Sequence, residues 1–418
     1  MANVLWNPFA NMAAVDGHAI TIVGGSGSTV VDTAGRSYTD ALASLWYCNA
    51  GYGRTELADA AAAQMRELAA FQTFEFYSNR PAEALCRRIA DLVPIPDAKV
   101  ILTPGGGSDA VDTASKLARA YWRAVGQPGR QAIISRTHAY HGMNAYGTSL
   151  AGIPSLTEAF APLVGQVEQV PWDDPAALEK TIEMLDGKAA AFFCEPVIGA
   201  GGVYPPPPGY LAEVRDICRR NDVLFVADEV ITGFGRVGQW FASERFDLDP
   251  DLITTAKGLS SGYLPIGAVI CSQRVSDPFW RGGSGEVFRH GYTYSGHPAA
   301  AAVALANLDL IERERLVQRV AALESVLAEA VAPLAAHELV SAVRAGTGLL
   351  AAVEISEDAR SADPALGQRL VTAIRDRGVI TRLLRGVALQ VSPPFVITEA
   401  EIAKIVAVFG AALDDAVG

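Results

Sequence analysis

The chain has 418 residues, of which 50% are hydrophobic, and its formal net charge is -12. This length accommodates two domains with a large core. The acidic charge argues against a nucleic-acid surface, and no run approaches the roughly 18–20 apolar residues of a membrane helix. The N-terminal residues show no basic region followed by an apolar core, so no secretory signal is expected. The five cysteines form no CxxC pair, which favours a cytoplasmic protein with reduced thiols and no zinc site.

The N-terminal part of the chain predicts a small β structure followed by a helix. The stretch GGSGSTVVDTAGRSYTD favours a β-hairpin with glycine turns over a phosphate loop, because its spacing matches neither Rossmann nor Walker patterns. Residues Glu56–Leu68 predict a helix. Between the hairpin and this helix lies the segment LWYCNAGYGR, in which Trp46 is either a core aromatic or part of a substrate pocket. The aromatic cluster in FQTFEFYSNRP, which includes Phe76 and Tyr77, is typical of a core or a subunit interface.

A glycine turn and a helix follow in VILTPGGGSDAVDTASKLARAYW. Gly107 and Ser108 fall where the amphipathic helix is expected to begin. Free backbone amides and the positive dipole end make such a position an anion site, and a serine hydroxyl adds a donor. The alternative is that Ser108 or Asp109 merely caps the helix. In the next motif, SRTHAYHGMN, His138 and His141 have no third ligand cluster, so no metal site is expected.

Two apolar runs, Leu224–Ala227 and Leu252–Thr255, predict buried parallel strands. Asp228 follows the first run directly, and Lys257 comes just after the second. Ligand sites of open α/β sheets lie beyond the carboxyl ends of the strands, so both side chains are expected at one rim. A pyridoxal phosphate (PLP) enzyme needs this pair, an amine for the cofactor aldehyde and a carboxylate for the pyridine nitrogen. The alternative is a pair of solvated strand-end charges.

Five ordered motifs set these charges in a wider pattern. DEVITGFGR followed by TTAKGLSSGYLPIGA, together with GGSDAVD, AYHG, EPVIG and FRHGYTYSGHP, resembles the class III aminotransferases, from about Trp46 to Pro394. The resemblance implies an α/β protein of PLP fold-type I. A large PLP-binding domain (51–300) would contain a mostly parallel seven-stranded sheet. A smaller α+β domain (301–418) would be joined by an N-terminal segment (1–50).

The resemblance also implies which residues bind the cofactor. Lys257 would form the Schiff base and shuttle the proton, Asp228 would pair with the pyridine nitrogen, and Tyr140 and Val230 would cover the two ring faces. The further cofactor-binding residues would be Gly107, Ser108, His141, Gly142 and Glu195, with Thr293 binding the phosphate of the other subunit. A homodimer with shared active sites is therefore expected. Val111, Ile198 and the extra Gly106 depart from the family pattern.

The substrate-binding residues implied in the same way are Trp46, Arg382, Phe76 and Tyr77. Counted from Gly378, Arg382 falls where ω-transaminases place the arginine that binds the keto-acid carboxylate, and Arg385 is the alternative. Counted back from the SPP motif at Ser392–Pro394, neither arginine matches that position without an offset of one or two residues. Ala200 stands where related ornithine and 4-aminobutyrate enzymes usually have a glutamate. This favours an ω-transaminase that uses an ω-amine or β-amino acid donor and a keto acid such as pyruvate. The alternatives are another PLP reaction, as in an aminomutase or a decarboxylase, and a catalytically silent PLP-binding protein.

Overall fold

The computed structural model describes residues 4–15, 17–280 and 286–417. The strands are β1 (Ile22–Ser26), β2 (Thr29–Asp32), β3 (Ser37–Asp40), β4 (Lys99–Thr103), β5 (Ala132–Arg136), β6 (Val167–Val170), β7 (Ala189–Cys194), β8 (Leu224–Asp228), β9 (Leu252–Thr255), β10 (Gly267–Cys271), β11 (Val340–Arg344), β12 (Ala351–Ile355), β13 (Val379–Ile380), β14 (Leu383–Leu384) and β15 (Ala388–Val391). The helices are α1 (Met12–Val15), α2 (Ala43–Trp46), α3 (Thr55–Glu67), α4 (Arg80–Leu92), α5 (Gly107–Ala124), α6 (Ala145–Leu150), α7 (Pro175–Met184), α8 (Tyr210–Arg220), α9 (Ala242–Arg245), α10 (Gln273–Trp280), α11 (Pro298–Arg313), α12 (Leu316–Val331), α13 (Glu357–Ala362), α14 (Leu366–Asp376) and α15 (Glu399–Val417). Single 3₁₀ segments cover Pro154–Leu156, Glu158–Phe160, Lys257–Leu259 and Ala332–Ala336.

The largest sheet has seven strands in the order β4-β10-β9-β8-β7-β5-β6. Strands β5 to β9 run parallel, and β10 is antiparallel to both of its neighbours. Every residue of β7 and β8 is buried, as expected for strands covered by helices on both faces. Helix α5 packs on one face of the sheet, and α7 and α8 pack on the other. The predicted mostly parallel seven-stranded sheet is confirmed.

The described residues also form two smaller four-stranded sheets, and the first of them joins strands from both ends of the chain. One has the order β1-β2-β3-β13, and the other has the order β11-β12-β15-β14. The hairpin predicted before residue 40 is present, because β1 and β2 pair antiparallel with Ser26 opposite Thr29. The C-terminal β13 lies parallel to β3, with Ile380 opposite Asp40. Strands β1 to β3 therefore share one sheet with the C-terminal β13.

Helix α11 connects the large sheet to the C-terminal part, and it packs against α3 and α4. One continuous core includes Leu57 of α3 and Leu310 of α11 together with residues of α12, α14 and α15. The predicted boundary at residues 300 and 301 lies within α11. The exact domain limits stay a prediction.

The described part of the chain has no helix that is both long and apolar enough to cross a membrane. Within the same residues, no group of three or more histidine, cysteine or acidic side chains could hold a metal ion. All five cysteines are free thiols, and only Cys86 is not fully buried.

Candidate active site

A cavity of about 420 Å³ opens at the carboxyl ends of the central parallel strands. Asp228 is the last residue of β8, and Lys257 follows the end of the adjacent β9. Both line the cavity. The expected meeting of a carboxylate and an amine at one rim of the sheet is therefore observed, and the interpretation as separate solvated charges is wrong, since Asp228 is only 4% exposed.

The Asp228 carboxylate is held by three hydrogen bonds. Its Oδ1 accepts from the Thr254 hydroxyl at 3.0 Å and from the Val230 amide at 3.1 Å. Its Oδ2 lies 2.6 Å from Nδ1 of His141, which is itself buried. A buried carboxylate fixed in this way cannot turn towards solvent, so it presents a defined acceptor to the cavity. The sequence alone did not predict the contribution of Thr254 or the contact between Asp228 and His141.

Lys257 has a backbone that lysine seldom adopts, with φ at 43°, in a single 3₁₀ turn. Such strain in a non-glycine residue is common at functional sites. Burial lowers the pKa of the Lys257 amine to about 8, and the nearby carboxylates of Asp228 and Glu195 oppose part of that shift. The amine is therefore partly neutral near pH 8, which is the form that attacks a carbonyl.

The start of α5 forms a narrow glycine-lined wall of the cavity, which includes Gly106, Gly107 and Ser108. No side chain caps the helix at Gly106, whereas Asp109 Oδ2 accepts from the Gly105 amide at 2.7 Å, directly before the helix. The capping role of Asp109 and an anion site do not exclude each other, and the anion site stays a prediction. A Cβ on Gly107 would come within 2.6 Å of a Val230 methyl group, and one on Gly142 would come within 2.6 Å of Ser108 Oγ. Ser108 Oγ accepts from the Met143 amide at 3.1 Å, which leaves its own proton for an anion. Uncapped amides, a hydroxyl and close backbone approach suit a phosphate group.

Tyr140 and Val230 both line the cavity, and they follow β5 and β8 respectively. The Tyr140 amide donates to Glu195 Oε1 at 2.9 Å, and the Gly199 amide donates to Glu195 Oε2 at 3.0 Å. Burial raises the pKa of the Glu195 carboxyl. Glu195 thus holds the Tyr140 loop against the loop after β7, which fixes the Tyr140 wall of the cavity.

Trp46 and Arg382 lie next to each other and close to Lys257. The guanidinium carbon of Arg382 is 4.8 Å from the centre of the Trp46 ring, and Lys257 Nζ is 5.8 Å from that centre. Burial lowers the pKa of the Arg382 guanidinium. In contrast, Arg385 is exposed and donates to the Gly201 carbonyl at 3.3 Å. Of the two candidate arginines, Arg382 is the one that the fold brings beside the Lys257 side chain.

Five predicted site residues are not among those that line the cavity. Two of them are Trp46, which is beside Lys257, and Arg382, which is beside Trp46. The other three lie on the surface of the single chain. Phe76 is 98% exposed, Tyr77 is 57% exposed, and Thr293 is also exposed. These three side chains do not reach the cavity of their own chain. The shared active site therefore stays a prediction.

Several cavity residues were not predicted from the sequence, among them Leu45, Tyr47, Ile231 and Leu264. Leu45 and Tyr47 flank Trp46 in the chain, which was the available signal. Of the departures from the family pattern, Gly106 and Val111 line the cavity. Ile198 is 1% exposed and lies behind the wall, where its backbone pairs with Tyr204.

The sheet order and the position of the cavity define an α/β protein of the PLP fold-type I architecture. Residues 12–413 match the family described as aminotransferase class-III, and the chain belongs to this family. A putrescine–pyruvate aminotransferase of Pseudomonas aeruginosa is 37% identical over 411 residues, which cover 93% of this chain and 89% of the relative. A probable aminotransferase of Mycobacterium tuberculosis is 41% identical over 372 residues, which cover 85% of this chain and 78% of the relative.

A solved (S)-enantioselective ω-transaminase from Thermomicrobium roseum superposes with a TM-score of 0.93 at 37% identity, covering 99% of this chain and 96% of that chain. Together with the family match, these similarities identify an enzyme that transfers an amino group from an amine to a keto acid.

Proposed function

We propose that the enzyme transfers the amino group of an ω-amine or β-amino acid type donor to pyruvate or a similar keto acid, with PLP held in the cavity. The observation that carries the proposal is the position of Asp228 and Lys257 on adjacent strands, facing a cavity that the uncapped start of α5 also enters. When bound, PLP supplies an aldehyde that accepts the amino group and a protonated ring that withdraws electrons.

The residues of the cavity fit this cofactor. The α5 amides and the Ser108 hydroxyl would bind the phosphate. The Asp228 carboxylate, held by His141 and Thr254, would accept a hydrogen bond from the ring nitrogen and keep it protonated. Tyr140 and Val230 would cover the ring faces. Gly142 would allow the close approach of Ser108 on which the phosphate site depends.

Lys257 would act twice, first as the covalent anchor of the cofactor and then as the base that moves a proton. The lowered pKa of its amine, at about 8, suits both roles, because general catalysis works best near the operating pH. Glu195 would maintain the Tyr140 loop through its two backbone hydrogen bonds.

The donor and acceptor classes are supported by three features. The name of the Pseudomonas aeruginosa relative gives putrescine and pyruvate as its substrates, and putrescine is an amine without a carboxylate. Ala200 leaves no carboxylate at that position to pair with Arg382. Arg382 would bind the carboxylate of the keto acid and rest on Trp46 when an uncharged donor occupies the site. We further propose a homodimer, in which Thr293, Phe76 and Tyr77 of one chain complete the cavity of the other.

The test is a panel of amines with pyruvate as acceptor, using the PLP-loaded enzyme and Lys257→Ala as the control. We expect amines without a carboxylate beside the amino group to react, with alanine formed in equal amount to the donor consumed. Turnover that needs no keto acid would point to an aminomutase, and release of carbon dioxide would point to a decarboxylase. The absence of any turnover together with bound PLP would indicate a silent protein.

A further inference from the structure

The segment that brings Trp46 to the active site has an unusual backbone. Ala43, Ser44 and Trp46 have φ values of 46°, 58° and 62°, in the left-handed region that non-glycine residues seldom adopt. Three such residues within four positions cost conformational energy, and they persist only where surrounding contacts hold them. The segment needs a group that compensates this cost.

Asp40 supplies these contacts. Its side chain is buried, with Oδ1 accepting from the Leu42 amide at 2.8 Å. Its Oδ2 accepts from the Ser44 amide at 2.7 Å and from the Tyr52 hydroxyl at 2.6 Å. Both carboxylate oxygens are thus used, and two of the three donors belong to the strained segment. The carboxylate spans the turn from its first residue to its centre.

The far end of the segment is held through the indole of Trp46. Its Nε1 donates to Ser392 Oγ at 3.1 Å. The backbone of Ala41 connects the same elements, since its amide donates to the Ile380 carbonyl at 3.0 Å and its carbonyl accepts from the Ser392 amide at 2.7 Å. Asp40 belongs to β3, which lies beside β13. The last residue of β13, Ile380, is two residues before Arg382. One small sheet orients both partners of the stacked Trp46 and Arg382 pair.

We infer that Asp40 is a positioning residue of the active site, which holds the Trp46 indole as the resting place of the Arg382 guanidinium and so prepares the site for keto-acid carboxylates. The inference rests on the proposed function. Asp40 itself does not line the cavity, and it acts through the 42–47 segment. The ring at 4.8 Å from the guanidinium carbon gives the cation a defined position when no carboxylate is bound.

The chain contains a matched control in Asp32. This buried carboxylate, in the neighbouring β2, accepts from the Ala34 amide at 2.9 Å, the Arg36 amide at 3.0 Å and the Tyr38 hydroxyl at 2.8 Å. The pattern repeats that of Asp40, with amides two and four residues on and one tyrosine hydroxyl. Asp32 has one further bond, from Arg36 Nε at 2.9 Å. Its turn does not contribute to the cavity.

The test compares Asp40→Asn with Asp32→Asn. In Asp40→Asn the NH₂ group must point at a backbone amide, because each oxygen of Asp40 accepts from one. In Asp32→Asn the side-chain oxygen can keep both amides, which share Oδ1, and the NH₂ group then faces Arg36 Nε and the Tyr38 hydroxyl. Hydrogen exchange should increase in residues 41–49 of Asp40→Asn, whereas Asp32→Asn should lose mainly its side-chain contact with Arg36 Nε. In Asp40→Asn, KM for pyruvate in the reaction with the aminated enzyme should rise about tenfold or more, with the amine half-reaction changed less than about threefold. In Asp32→Asn, both half-reactions should stay near those of the wild type.

Tyr52→Phe and Tyr38→Phe form a milder pair that removes one hydroxyl from each carboxylate, for the case in which an asparagine variant does not fold. Tyr52→Phe should raise KM for pyruvate and Tyr38→Phe should not. Equal effects of the two positions, or equal losses in both half-reactions of Asp40→Asn, would overturn the inference. A wild-type enzyme that does not aminate pyruvate would instead refute the proposed function, while unchanged exchange in residues 41–49 of Asp40→Asn would refute the role of Asp40 alone.

Discussion

Replacing Arg382 by alanine should separate the two halves of the reaction. Under the proposed function, the Arg382 guanidinium would donate two parallel hydrogen bonds to the keto-acid carboxylate, and each charge-assisted hydrogen bond contributes about 1.5–3 kcal/mol. Leaving the Trp46 ring, which lies 4.8 Å from the guanidinium carbon, costs about 0.5–1 kcal/mol. The two hydrogen bonds minus this cost leave roughly 2–5 kcal/mol of binding energy that Arg382→Ala would lose. This corresponds to a loss of kcat/KM for pyruvate on the order of 30-fold to several thousandfold.

The assay follows each half-reaction separately by the absorbance of the bound cofactor. A donor without a carboxylate has no group for the fork, so its reaction with Arg382→Ala should change less than about threefold. Arg385→Ala is the matched control, because Arg385 is exposed and contacts the Gly201 carbonyl. A loss for pyruvate below about tenfold in Arg382→Ala, equal losses in both halves, or a loss confined to Arg385→Ala would refute the assignment.

Three further predictions concern the cofactor and the second subunit. Asp228→Asn should lower turnover on the order of 10³-fold with PLP still bound, and a loss below about tenfold at equal occupancy would show that Asp228 is not required. Because burial lowers the pKa of Lys257 to about 8, its amine loses its proton above that pH. Capture of pyridoxal by the enzyme freed of cofactor should therefore rise between about pH 7 and 9, whereas a midpoint near the ordinary lysine value of about 10.5 would contradict this environment. Mixed dimers of Lys257→Ala and Thr293→Ala should regain activity in one of their two sites; no recovery after demonstrated subunit exchange would refute the shared site.

The central sheet and its two rim charges could be predicted because their signals are local. Buried parallel strands leave short apolar runs, and a charged residue directly after such a run, as with Asp228, is visible in the sequence. The glycines before α5 are a similar local signal, because a glycine turn directly before an amphipathic helix is typical of an anion site.

The contacts that orient these residues could not be predicted in the same way. His141 and Asp228 are 87 positions apart, and no periodicity relates them. The left-handed turn at Ala43–Trp46 contains no glycine, so its sequence gives no sign of its backbone. The exposure of Phe76 depends on whether a second chain covers it, which one sequence does not state.

The central claim is that Lys257 holds the cofactor covalently in the cavity beside Asp228. Borohydride reduction of the PLP-loaded enzyme converts such a link into a stable bond, and proteolysis with mass spectrometry then locates it. We expect a single modified lysine, in the peptide that contains Lys257, and no such modification in Lys257→Ala. Stoichiometric modification of a different lysine in the wild-type enzyme would contradict the claim.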